Sequence, residues 1–210
     1  MEKVEKGTRT RNRRGEGGRL RDEIVLAAIE LLDESGDERT LTLRSIARQA
    51  GIAAPSIYKH FPDQPAIMLA VVRSALAELN VVLREAGERP GAGPRQRLEG
   101  VCHAYLDFAR THPQRYRTMF GGLWVPNLSE ETSVRREDMQ TLGDESFAIL
   151  GTALAACVEA GESTADPSVD VVALWLGLHG LAHQRASTAA FPWPEGIEER
   201  LISSLAQLRP

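Results

Sequence analysis

TLRSIARQAGIAAPSIYKHF, residues 42 to 61, sets two short helical patterns on either side of one glycine. Thr42 can cap a helix N-terminus, Leu43, Ile46 and Ala47 recur at helical spacing, and Gly51 stands where a helix ends in a residue of positive φ. A turn of about three residues follows. In the second helix Ile57 and Phe61 are spaced i, i+4 and face inward, which leaves Ala54, Pro55, Ser56, Tyr58, Lys59 and His60 on the wet surface. Small residues lead on that surface, and hydrogen-bond donors follow.

Outward from this pair the pattern stays helical. Leu20, Ile24, Ala27, Ala28, Leu31 and Leu32 repeat at a spacing of about 3.6 residues, and Gly36 stops that helix, which is expected to pack under the pair as a third. After Phe61, Asp63 reads as an N-cap for a long helix carrying Ile67, Met68, Val71, Val72, Ala75, Leu76, Leu79, Val82 and Leu83. Its apolar face is too wide for a small head alone, so it is expected to join head to body. GERPGAGP, residues 87–94, is a connector by composition. Helices are predicted over 95–111, over 113–120 from a proline in the first turn, and over 132–160, with 121–129 as a loop. Asp166-Pro167 opens an apolar helix to about Ala190, and FPWP leads to a last helix over 195–208. No strand alternation and no repeat is found. The expected fold is all-α, a three-helix head over residues 19–65 and a helical body over 66–210, behind a basic flexible tail over 1–18.

The chain has 210 residues, 42% of them hydrophobic, enough to bury a core, and a net charge of −4. The charge is unevenly spread. Residues 1–21 hold eight Lys or Arg against three Glu, a local +5, which leaves −9 on the remainder. Positive charge beside the helix pair and negative charge elsewhere favours oriented docking to phosphate over a nonspecific nucleic-acid coat. Cys102 and Cys157 form no CxxC pattern and read as free thiols of a reducing compartment. The basic N-terminus has no apolar stretch behind it, unlike a signal peptide, and the longest apolar run, Val169 to Ala182, is shorter than a membrane span of about 20 residues. A cytoplasmic protein without a membrane partner is expected.

A helix laid in a DNA major groove needs small residues at its leading end, so that the backbone can approach, and donors beyond them for phosphates and base edges. Residues 54–60 supply both. Leu43-Arg44-Ser45-Ile46-Ala47, Ala50-Gly51-Ile52 and Ile57-Tyr58-Lys59-His60-Phe61-Pro62-Asp63 resemble the DNA-binding signature of bacterial TetR-family transcriptional regulators. The Ile-Tyr-x-His-Phe run with its following Pro is the specific part. The family pattern usually has Ser or Thr where this chain has Ala53, and an acidic residue where it has Pro65. The resemblance implies a DNA-binding set of Thr42 and Arg44 on phosphates, Leu43 beside them, Ala54, Pro55 and Ser56 approaching base edges, and Tyr58, Lys59 and His60 adding backbone contacts, with Lys59 within reach of a base. Read as packing alone, Tyr58 would be a half-buried residue, Lys59 a solvated charge and His60 a cap of the hairpin.

In the body, Trp175-Leu176-Gly177-Leu178-His179-Gly180-Leu181-Ala182-His183 is apolar nearly all round, and its glycines each cost about 1 kcal/mol of helix stability relative to Ala. Close approach of another helix, at a dimer seam or a ligand wall, would account for them. The Trp-x3-His-Gly run, with His112-Pro113-x2-Tyr116-Arg117-x-Met119-Phe120, resembles the WHG-type ligand-binding domain found behind some TetR-family heads. It implies a homodimer whose last two helices form a four-helix bundle, an effector cavity in each body, and a repressor that leaves an inverted-repeat operator when a small molecule binds. Candidate cavity residues are Tyr105, Phe108, Met119, Phe120, Trp124, Phe147, Leu150, Trp175, Leu178 and His179, each of which could equally be ordinary core. A buried His179 needs a partner, either a Tyr hydroxyl or a ligand.

Three other readings stay open. The same fold could activate transcription, a helical ligand carrier could use the head to bind protein, or His179 and His183 could hold a metal in an enzyme. The zinc-protease pattern wants Glu after the first His, where this chain has Gly180. No nucleophile elbow, P-loop or dinucleotide glycine pattern is present, and no catalytic residue, metal or cofactor is assigned.

Overall fold

The computed structural model describes residues 17–121 and 132–210, and divides them into two compact units, one of 17–71 with 132–136 and one of 72–121 with 137–210. Each is built round its own core.

In the first unit, α1 (Gly17–Ser35) carries Ile24 and Ala28 inward, both fully buried, and ends at Gly36 with a φ of 65°. Helix α2 (Leu43–Gln49) contributes Ile46 and Ala47, and α3 (Ala54–Ile57) contributes Ile57. Phe61 completes this core, with the Arg21 guanidinium 4.7 Å from its ring centroid. At about 1.5–3 kcal/mol for each fully buried side chain, these few residues hold the head together. The second helix is shorter than its pattern predicts. Ala53 offers no side-chain acceptor to the first free N–H groups, Pro55 fixes the first turn, and past Ile57 the chain tightens, with His60 N–H donating to Ile57 O at 3.0 Å.

Helix α4 (Gln64–Gly87) opens on Asp63, whose Oδ1 accepts from Ala66 N–H at 2.9 Å. The same carboxylate accepts from the Ser133 hydroxyl at 2.9 Å and the Ser133 N–H at 2.8 Å, and so also fixes residues 132–136. Helix α4 gives Ile67, Met68 and Val71 to the head core, and its later residues Leu79 and Leu83 to the body core. By length and composition α4 could cross a membrane, as could 136–159, which a turn divides; the most apolar stretch of α4 is 61% buried inside the fold.

The second unit is a helical bundle. Helix α5 (Pro94–Thr111) packs against α8 (Asp144–Glu159) and α9 (Pro167–Ser187), with α6 (Pro113–Phe120) and α10 (Ile197–Leu205) at its flanks. The long helix expected over 132–160 is interrupted: α7 (Arg136–Gln140) stops, and Gly143 at φ +94° turns the chain before α8 starts. A left-handed residue cannot continue an α-helix. Helices α9 and α10 are also shorter than expected, ending at Ser187 and starting at Ile197. Asp166 caps α9 as read, its Oδ1 accepting from Ser168 N–H at 2.9 Å. The only extended pairing among the described residues is an isolated antiparallel bridge between Ser163 and Leu208.

Candidate functional site

The head presents its candidate residues from a capped frame. Thr42 Oγ1 accepts from Ser45 N–H and Ser45 Oγ accepts from Thr42 N–H, both at 3.0 Å, a reciprocal capping box at the start of α2. Ser45 was not among the expected site residues, although a hydroxyl three positions after a capping Thr is the signal for it. Leu43 is half-buried against the head core, whereas Arg44 stands exposed on the first turn of α2. A cation is disfavoured by the helix dipole there unless an anion comes close. On the next segment Pro55 and Lys59 are exposed, Ala54, Ser56 and His60 are half-buried, and Tyr58 is 54% exposed, too open for a packing residue. Arg44 and Lys59 have no ion-pair partner among the described residues.

The body holds a second constellation, centred on His179 of α9. The hydroxyls of Tyr116 and Tyr105 converge on its Nδ1 at 2.9 and 3.2 Å, and Tyr116 also lies 3.2 Å from the His179 carbonyl oxygen. The two hydroxyls and the ring nitrogen form one hydrogen-bonded cluster, in which Tyr116 also donates to the His179 carbonyl. Trp175 stacks on the imidazole at 5.3 Å between centroids, Phe120 meets it edge-on at 5.0 Å, and His183 lies 6.5 Å beyond. Burial, and then the charge of His183, depress the His179 pKa. Burial raises both tyrosines, Tyr116 to about 12. All three groups are therefore neutral at physiological pH.

Beside this cluster a cavity of about 210 Å³ is lined by Val72, Leu76 and Leu79 of α4, by Tyr105, Met119, Phe120, Phe147 and Trp175, and by Leu142 to Asp144 and Ser146 at the start of α8. Of the expected cavity residues, Tyr105, Met119, Phe120, Phe147 and Trp175 share this wall. Leu150 and Leu178 line a void of about 10 Å³ next to Tyr105 and Trp175. Phe108 is core, stacked on His112 at 4.7 Å. His179 stands behind the wall, in contact with three of its rings. Trp124 lies outside the described residues. Tyr116 was missed as a site residue even though the 112–120 motif contains it; Asp144 and Ser146 were missed because the helix was read straight through Gly143.

Both cysteines are free and buried, and burial lifts the Cys102 thiol to about 12. His103 Nδ1 sits 3.0 Å from Glu198, and no three His, Cys, Asp or Glu converge among the described residues. Gly177 is where helices meet closely: a Cβ there would lie 2.2 Å from Leu205 Cδ1. Gly180 faces open space.

A capped helix-turn-helix head with exposed cations on its face, and a helical body with an aromatic cavity, define a DNA-binding transcriptional regulator that carries its own ligand-binding domain. Residues 24–71 match the family model of bacterial regulatory proteins of the tetR family, and residues 98–208 match the tetracyclin repressor-like C-terminal domain. The chain belongs to the TetR family. The transcriptional activator FasR of Mycolicibacterium smegmatis is 29% identical over 119 residues, which are 56% of this chain and 53% of that protein, so the match spans about half the length of either. A Rhodococcus sp. RHA1 protein of unknown function shares the fold at a TM-score of 0.70 and 23% identity, over 93% of this chain and 95% of that one. So does the regulator FadR from Bacillus subtilis, solved in complex with stearoyl-CoA, at 0.66 and 16%, over 88% and 97%.

Proposed function

We propose that this regulator binds an inverted-repeat operator as a homodimer, represses from it, and leaves it when a small molecule enters the cavity of the body. One observation carries the reading: α4 supplies Ile67, Met68 and Val71 to the head core and Val72, Leu76 and Leu79 to the cavity wall. A ligand that shifts this helix therefore acts on the element that anchors the head. A coupling of about 1–3 kcal/mol would lower operator affinity about 5- to 150-fold. Thr42 and Arg44, on either side of Leu43, would meet phosphates, Ala54, Pro55 and Ser56 the base edges, and Tyr58, Lys59 and His60 the adjoining backbone. Residues 19–65 then serve as the DNA-binding domain and 66–210 as the effector and dimer domain.

The dimer is supported by α9. Val169, Val172 and Leu176 are 62, 43 and 55% exposed at i, i+3, i+7 spacing, and Gly180 continues that stripe with free space above it. An apolar stripe of this kind on a helix calls for a partner. Two-fold symmetry would set the two reading segments roughly 34 Å apart, or a multiple of one helical turn. Activation is the second reading, favoured by the likeness to FasR, an activator.

Fluorescence anisotropy of a labelled fragment from the DNA flanking the protein's own gene, titrated at several salt concentrations, tests the reading. Wild type should bind with a steep salt slope, and Lys59→Ala should bind more weakly with the slope reduced by about one. Equal binding by the two proteins would remove Lys59 from the interface. In vitro transcription from the bound fragment separates repression from activation, and sedimentation of Leu176→Glu, expected to be monomeric, tests the seam.

A further inference from the structure

The cavity wall combines aromatic faces with one carboxylate, Asp144, exposed in the first turn of α8. Phe120, Phe147 and Trp175 line it as a contiguous group, with ring centroids 6.5 Å apart for Phe120 and Trp175 and 5.8 Å for Phe147 and Trp175. Tyr105 adds a fourth ring, 6.4 Å from Phe120. The charged neighbours of the lining positions are matched: Arg73 pairs with Asp138 at 2.8 Å, while Glu145 is held by Arg84 and by the Asn80 amide. Asp144 lines the cavity and has no ion-pair or side-chain hydrogen-bond partner among the described residues. Ser146 adds a hydroxyl but no charge, and among the described residues no cation lines the wall.

We propose that the cavity takes a small lipophilic organic cation, its apolar groups among the rings and its charge toward Asp144. The inference rests on the cavity being the effector site. Aromatic faces are electron-rich and attract a cation placed over them, most strongly where water is excluded, and a carboxylate at the rim offsets the loss of the cation's hydration. An anionic head would meet Asp144 as a like charge, with no cation among the described lining residues to receive it. The volume, about 210 Å³, lies below the range of about 300–1,000 Å³ usual for drug-sized ligands, and so favours a compact ammonium.

Benzyltrimethylammonium and neopentylbenzene have the same shape and differ in charge, and octanoate supplies an anion of similar size. Titrations of the full-length protein with each, followed by tryptophan fluorescence, are compared with titrations of Asp144→Asn, whose fold is verified by circular dichroism. The substitution is expected to weaken benzyltrimethylammonium about three- to fivefold, the scale of an exposed charge pair, to leave neopentylbenzene unchanged and to leave octanoate unchanged or tighter. Wild type binding octanoate more tightly than benzyltrimethylammonium, or Asp144→Asn leaving the cation's affinity intact, overturns the cation assignment while the cavity stands as an effector site. If none of the three binds, the cavity itself is not a ligand site and both readings fall.

Discussion

Replacing Tyr105 and Tyr116 by Phe, singly and together, tests whether the two hydroxyls act as a unit on His179. The rings stay, so the aromatic packing at 6.2 Å between the two tyrosines is kept and only hydrogen bonds are lost. Tyr116 lies 2.9 Å from Nδ1 and donates to the His179 carbonyl at 3.2 Å, while Tyr105 lies 3.2 Å from Nδ1. With Tyr105 shortened, Tyr116 still serves Nδ1, and the loss is one neutral bond, about 0.5–1 kcal/mol. With Tyr116 shortened, Tyr105 serves Nδ1 and the carbonyl loses its extra donor, for about 1 kcal/mol. With both gone, a half-buried imidazole nitrogen has no hydrogen-bond partner among these hydroxyls, and its desolvation adds about 1 kcal/mol, the low end of the usual penalty because His179 is not fully enclosed. The double variant should therefore lose about 3 kcal/mol, roughly 1 more than the singles summed. Urea unfolding followed by circular dichroism, at one protein concentration for all four proteins, gives the cycle. Strict additivity, or a double variant less affected than the sum, would refute the shared role.

Four other outcomes follow from named contacts. Because the folded protein holds His179 below its ordinary value, folding releases protons near that value, so stability should be full above about pH 6.5 and decline as pH falls below it; denaturation at stepped pH checks this, and His179→Gln should flatten the slope. In the Leu176→Glu background, expected to be monomeric, Gly180→Ala should stabilise the protein by up to about 1 kcal/mol, since a Cβ meets nothing within the chain there, whereas in Gly177→Ala the displacement of Leu205 should cancel or reverse that gain; thermal melts of the pair decide. Thr42→Ala removes the acceptor for Ser45 N–H and should cost about 1 kcal/mol of head stability, read as faster amide exchange in α2. Ser146→Ala strips the donor from the buried Asn80 carbonyl and should cost about 1–3 kcal/mol, while the apolar pair Asn80→Leu with Ser146→Ala should recover most of it in urea unfolding.

The head was legible because its signals are local. A capping Thr, a glycine at positive φ and an i, i+4 pair of large apolar residues each fix one feature within a turn or two, and Gly51 at φ +65° and the burial of Ile57 and Phe61 agree with them. Where the head departs from its pattern, α3 ends at Ile57 and the chain tightens beyond it, with His60 N–H donating to Ile57 O; the missing cap at its start was visible in Ala53. The body was legible only in part. The Gly-Pro connector, Pro113 and Asp166-Pro167 located α5, α6 and α9, but a single Gly143 decides whether 132–160 is one helix or two, and a sequence pattern cannot tell a tolerated helical glycine from one at φ +94°. That misreading hid Asp144 and Ser146, which line the cavity only because the chain turns ahead of them. The bonds from Tyr105 and Tyr116 to His179 span 74 and 63 positions, so no local pattern carries them.

Two hydrogen-bonded seams run through the body where hydrocarbon would serve stability as well. Asn80 and Ser146 are buried at 5 and 8% exposure, and Asn80 is bonded to Ser146 and Glu145, joining α4 to α8 at one side of the cavity. Tyr105, Tyr116 and His179 join α5, α6 and α9 at another. An apolar seam accepts any arrangement that packs again, because dispersion attraction has no direction. A hydrogen-bonded seam does not: a displacement that breaks Asn80 from Ser146 leaves both groups unsatisfied until new partners are found, so the seam favours discrete arrangements. A regulator that must convert the occupancy of a cavity into a change at its head needs that property in the helix shared by both, and α4 is the helix that carries Asn80.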